Sequence, residues 1–113
     1  MLVQTVIHIE GKVDWVCWRG NGGHWIGICD PLKLTAQADT WFELMESIGE
    51  TIDSVMKDLL QTGDLYRFLQ DHGWKPRNPI PKQLTPEEIA DYRFDIPFMP
   101  HMAAHGPQNL VYQ

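Results

Sequence analysis

Residues 20–59 read GNGGHWIGICDPLKLTAQADTWFELMESIGETIDSVMKDL, and this stretch decides the architecture. Its glycines at 20, 22 and 23 mark a tight turn, because glycine reaches backbone dihedrals that other residues avoid. HWIGIC at 24–29 then reads as a strand that Asp30-Pro31 ends, and LKLTAQ at 32–37 as a short extended connector or a further ladder fragment. The helix signal follows over 39–62. Asp39-Thr40 offers an N-cap and Glu43, three residues after Thr40, completes a capping box. Trp41, Leu44, Met45, Ile48, Ile52, Val55, Met56, Leu59 and Leu60 recur at steps of three and four, one apolar stripe to lay on a sheet. The same spacing turns Glu46, Glu50, Asp53 and Lys57 outward, and Gly63 stops the helix.

Working outward, DWVCWR at 14–19 pairs with 24–29 across the glycine turn as a hairpin. LVQTVIHIE at 2–10 alternates and is rich in β-branched residues, so it is a strand with Val3, Ile7 and Ile9 as its core set, and Gly11-Lys12 begins a turn. Beyond the long helix, Asp64 caps a short helix over 65–73. WKPRNPIPK at 74–82 follows, the body of a restricted, extended connector at 73–83. Thr85-Pro86-Glu87-Glu88 is a clear helix start, with Thr85 at the N-cap and Pro86 in the first turn, and the helix ends near Tyr92. Phe94, Ile96 and Phe98 alternate around Pro97, which suits an edge strand or a bulge. Leu110, Val111 and Tyr112 suit a sheet edge, another subunit or a frayed tail. The fold class expected is α+β: an antiparallel sheet of three to four strands packed by one long amphipathic helix, in the order β-β-β-α-(α)-(α)-β. The 113 residues make one domain, with a core at 1–62, a fourth strand near 94–98 and the connector at 73–83.

Composition narrows the function. With 43% hydrophobic and 21% charged residues the chain has globular rather than disordered composition, and no apolar run is long enough to span a bilayer. The first residues lack the basic-then-apolar pattern of a secretory signal, so a cytoplasmic location is expected. The formal charge of -6 opposes broad binding of nucleic-acid phosphates. It is concentrated in the helices: residues 40–72 hold seven acids against Lys57 and Arg67, whereas 73–83 hold only Lys75, Arg77 and Lys82. An acidic helix of this kind is either a solvated face or a surface for a basic partner.

Catalytic patterns are thin. Cys17 and Cys29 lack metal spacing and sit in apolar segments, as reduced buried thiols do. The glycine cluster lacks the phosphate-loop pattern, and His101 and His105 share a helical face only if a helix forms between Pro100 and Gly106. His24, just after the glycine turn, is a recognition residue or a hairpin-edge residue. Asp14, Asp30 and Asp39 would have to gather at strand ends to bind a divalent ion, yet each has a local structural explanation beside a turn, a proline or a helix start. No catalytic residue, metal site or cofactor is therefore expected. A binding role is better supported: five tryptophans are many for this length, and Trp15 and Trp25 on the hairpin would form an aromatic hot spot if exposed. Together with Glu43, Glu46, Glu50 and Asp53 they are the candidate partner-binding residues.

Residues 20–59 also resemble the N-terminal domain of the HicB-like antitoxin family. The resemblance rests on Ile28-Cys29-Asp30-Pro31 at the strand-end turn, on Ala38-Asp39-Thr40 at the helix start and on the helix of repeated acids and aliphatics. With the first strand it covers about residues 1–62. It implies a partial ribonuclease H-like β-β-β-α-β module, no enzymatic activity and a small basic RNA-cleaving toxin as partner. Homo-oligomers through sheet edges or the proline-rich segment are a further expectation. The DNA-binding appendage common in that family is not expected, because residues 84–113 are few and carry a net charge of -3. A solitary interaction protein, a metal-dependent nuclease and a transcriptional autoregulator are the alternatives.

Overall fold

A computed structural model describes residues 4–81 and 84–104. The long helix forms as α1 (Trp41–Thr62). Thr40 Oγ1 accepts the Glu43 N–H at 3.1 Å, satisfying one of the donors that a helix start leaves open. Leu44, Ile48, Ile52, Met56 and Leu60, spaced four apart, are all buried. The remaining elements are β1 (Thr5–Glu10), β2 (Val13–Arg19), β3 (Trp25–Cys29), β4 (Leu34–Ala38), α2 (Leu65–His72), β5 (Lys75–Pro76), α3 (Pro86–Ile89), β6 (Tyr92–Asp95) and β7 (Phe98–Met102). They make an α+β fold with a three-stranded sheet ordered β5-β1-β6, a four-stranded sheet ordered β4-β3-β2-β7, and α1 packed on sheet.

The strand pairing differs from one antiparallel sheet. β2, β3 and β4 form the expected antiparallel ladder, and the 32–37 segment is its third member. β1 pairs instead with β5 and β6, so Gly11-Lys12 joins strands of two sheets rather than folding a hairpin. The C-terminal strands run parallel to their partners, Thr5 opposite Tyr92 and Val13 opposite Phe98. Parallel neighbours need a long crossover, which the helical middle of the chain supplies. The fourth strand expected near 94–98 is two strands, β6 and β7, interrupted at Ile96-Pro97, where proline brings no N–H to a ladder. Helix α3 has the expected capping box, with Thr85 and Glu88 each accepting the other's backbone N–H, but it ends at Ile89, and Tyr92 already opens β6.

The described residues divide into two compact units, one holding those up to Lys12 with those of Ile52–Pro97, the other those of Val13–Thr51 with those from Phe98 to Ala104. In the first unit Ile7 and Ile9 of β1, Phe94 of β6, and Leu65 and Leu69 of α2 are buried, as are Ile52, Met56 and Leu60 of α1. The described part of the proline-rich segment is tied down at Arg77 and Asn78. Arg77 N–H donates to His8 O at 2.7 Å, Arg77 Nε reaches Glu10 Oε1 at 2.8 Å, and Asn78 Oδ1 accepts the His8 N–H. Trp74 lies so close to Gly11 that a Cβ there would stand 2.7 Å from the indole Cγ and Cδ1. Gly11→Ala should lower the unfolding free energy by about 1–3 kcal/mol through overpacking. Urea melts followed by Trp fluorescence check this; an unchanged midpoint would show that the indole moves aside freely.

In the second unit the β2–β3 hairpin turns as the glycines dictate: Gly20 N–H donates to His24 O at 2.7 Å and Gly23 sits at φ +86°. Trp15 and Cys17 share a sheet face with Gly27, where a Cβ would lie 3.3–3.5 Å from Trp15, Cys17 and Ile48 of α1, so the bare glycine lets helix and tryptophan close on the sheet. The opposite face is apolar too. Trp18, Ile26 and Ile28 are buried there, with Val16 packed against them.

Both cysteines are free and buried. Burial pushes the Cys17 thiol up to about 11. It raises Cys29 as well, against a lowering hydrogen bond from the Leu32 backbone, and Asp30 and Asp14 add to the rise. Neither thiol is a ready nucleophile at neutral pH. Because the folded Cys17 value exceeds the unfolded 9.0, its contribution is fully present below pH 9 and is lost as pH rises toward 11. Denaturant melts should therefore show stability falling by up to about 2–3 kcal/mol across that window. Cys17→Ala should flatten the fall, and an identical fall in the variant would assign it to other groups.

Among the described residues, no helix is long and apolar enough to cross a membrane.

Candidate binding surface

The first half of α1 and the loop before it carry the most distinctive surface. Glu43, Glu46 and Glu50 stand exposed at helical positions i, i+3 and i+7, one stripe along the helix. No cation among the described residues pairs with any of them. The cations that are paired go elsewhere: Lys57 to Asp53, Arg67 to Asp64 and Arg77 to Glu10. Beside the stripe Phe42 is 71% exposed. It falls off the three-and-four apolar pattern, and that offset in the sequence is the signal that would have found it.

At the start of α1 an open recess of about 350 Å³ is lined by His24, Gln37, Ala38, Asp39 and Glu43. His24 Nδ1 lies 2.9 Å from Asp39 Oδ1, so the hairpin's end and the helix's beginning are joined there. Trp25 is half-buried and meets Trp41 edge-on, ring centroids 5.1 Å apart, beneath this end of the helix. The edge-on arrangement is favourable for the aromatic quadrupoles and holds Trp25 in place, though it leaves only part of the ring for a partner.

Two of the expected partner-binding residues are not on this surface. Asp53 is 7% exposed. Its Oδ1 accepts the Phe94 N–H at 2.7 Å and its Oδ2 takes Lys57 Nζ at 3.0 Å. The carboxylate thus completes the backbone hydrogen bonding of β6, and its presence on the outward face is corrected. Trp15 is fully buried, and its Nε1 finds no acceptor among the described residues. Its place on a hairpin strand did not show which face α1 would cover.

The residues weighed for metal chemistry are dispersed. Asp14 binds His101 Nε2 at 2.9 Å, Asp30 sits in a turn where its main-chain carbonyl accepts the Lys33 N–H, and Asp39 is held by His24. Among the described residues no group of three or more His, Cys, Asp or Glu is placed to hold a metal ion. His105, and with it the His101–His105 pairing, lies outside the described residues, as do Val3 and the tail residues Leu110, Val111 and Tyr112.

Sequence reasoning also missed a groove of about 420 Å³ at the end of α2, lined by Tyr66, Leu69, Gln70, Trp74, Lys75 and Pro76. Its signal was present in part, since Tyr66 is an aromatic on the outer face of a short helix.

The chain matches no family model, no characterised protein and no solved structure.

Proposed function

We propose that this chain is a non-enzymatic, antitoxin-like binding module, acting in the cytoplasm, whose α1 stripe of Glu43, Glu46 and Glu50 engages a small basic protein. The observation that carries the reading is the exposure of three acids in one line with no cation among the described residues to neutralise them. A carboxylate row of this kind raises the encounter rate with a positively charged partner and repels acidic ones. Exposed Phe42 beside it supplies the apolar contact that charge alone lacks. The resemblance of residues 20–59 to HicB-like antitoxins supports the same partner class, a small basic RNA-cleaving toxin.

The test is co-expression of the tagged chain with the product of the adjacent reading frame, followed by titration calorimetry at low and high salt. A complex with a basic protein that weakens as salt rises is the expected result. A complex indifferent to salt, or the absence of any complex with a basic neighbour, overturns the reading.

A further inference from the structure

We infer that β4 is a self-association edge, pairing antiparallel with β4 of a second copy of this chain about a twofold axis at Ala36. The inference does not rest on the reading of α1, since it uses main-chain groups of β4 and no acid of the α1 stripe, although Gln37 and Asp39 also line the recess beside Glu43.

The four-stranded sheet has β4 and β7 as its outer strands. They are not equivalent. Ala103 N–H donates to Cys17 O at 2.8 Å, so by alternation residues 99, 101 and 103 direct their main-chain groups to β2 and Pro100 faces outward. An incoming strand would find no donor at the centre of β7, a common way of closing an edge. β4 contains no proline and no charged residue.

The hydrogen-bond parity of β4 follows from the hairpin. Gly20 N–H bonds to His24 O, which makes 18–26 and 16–28 the bonded pairs of β2 and β3 and turns Trp25, Gly27 and Cys29 toward β4. Their opposites, Ala38, Ala36 and Leu34, bond inward. Thr35 and Gln37 are left with N–H and C=O on the open side, and both residues are exposed.

A second copy placed antiparallel about Ala36 sets Thr35 opposite Gln37 of its partner, and Gln37 opposite Thr35, joining the groups that point outward. About four main-chain hydrogen bonds form in this register. Ala36 meets Ala36 at the close, non-bonded position, where small side chains fit. Lys33, in a turn at φ +54°, precedes β4 and Asp39 follows it, so this register places each Lys33 at the same end of the paired strands as the partner's Asp39. Asp39 is held by His24 through one oxygen and its side chain is largely exposed, leaving the other for Lys33. Lys33 has no acid partner among the described residues. Main-chain parity, side-chain size and end charges thus select one register, and it is self-complementary as an isologous contact requires.

Sedimentation equilibrium of the full chain up to about 100 μM tests this, since mass action favours the dimer at high concentration. The expected mass is twice the 13.1 kDa of one chain. Gln37→Pro, which removes only an outward N–H, should sediment as monomer with its circular dichroism unchanged; Thr35→Pro should do the same if Gln37→Pro disturbs folding. Lys33→Glu should weaken the dimer about tenfold or more, and K33E/D39K should restore it by reversing both charges. A monomeric wild-type chain overturns the inference, as does a dimer that survives both proline variants. Amide exchange at Thr35 and Gln37 should become slower as concentration rises. Protection independent of concentration would mean that the edge is covered within its own chain, by residues 105–113 for instance, and would also overturn it.

Discussion

Asp53→Ala is expected to destabilise the chain by about 2–3 kcal/mol, lowering the melting temperature by about 10 °C. The carboxylate serves two groups. Phe94 N–H, 2.7 Å from Oδ1, belongs to a strand residue that is itself buried, so removal of the acceptor strands a main-chain donor away from water. A buried unsatisfied donor costs about 1–3 kcal/mol. Lys57 is the smaller part of the effect: its side chain keeps 24% of its exposure and can turn its ammonium to solvent when the partner is lost. Asp53→Asn separates the two contributions. The amide oxygen still accepts from Phe94, while the ion pair with Lys57 disappears, and partly exposed pairs of this kind contribute up to about 1 kcal/mol. Thermal melts should therefore rank wild type, then Asn, then Ala. Equal losses for Asn and Ala would assign the whole effect to the ion pair and sink the backbone-acceptor account.

Asp53 also marks where sequence reasoning stopped. It occupies the rim of the apolar stripe, three residues before Met56 and one after Ile52, both buried. A helical pattern gives the angle of such a residue but not what stands opposite, and here it is the amide of a strand forty-one residues away. The same limit applies to β6 and β7. Parallel pairs between residues more than eighty apart leave no local trace, because neither turn chemistry nor alternation encodes them. Features that depend on neighbours in the chain were legible: the period of α1, the glycine turn, and the Thr85–Glu88 box. The tryptophans fall between these cases. Trp15 and Trp18 lie on opposite faces of β2, yet both are buried, so of the hairpin pair expected as a hot spot only Trp25 keeps partial exposure. Of the candidate surface, Glu43, Glu46 and Glu50 were legible as outward positions, and the His24–Asp39 link was not, since it joins a hairpin to a helix start fifteen residues on.

Reversing the α1 stripe with Glu43→Lys, Glu46→Lys and Glu50→Lys together should reduce affinity for the basic partner by about 100-fold or more, equivalent to about 2.7 kcal/mol. Each acid is exposed, so the loss comes from replaced attraction and added repulsion at the contact, and it should shrink as salt screens both. The single change Glu46→Lys is the more telling one. Glu43–Glu46 and Glu46–Glu50 are like-charge neighbours at i,i+3 and i,i+4, spacings at which repulsion destabilises a helix by about 0.2–0.5 kcal/mol per pair. A lysine at 46 converts both into attractive pairs. Stability should rise by a few tenths of a kcal/mol while partner affinity falls about tenfold. Opposite signs for folding and binding are what a stripe kept for recognition predicts, because a helix shaped for stability alone would alternate its charges. If Glu46→Lys raises stability and leaves binding of the basic partner untouched, the stripe is only a solvated face and the partner docks elsewhere.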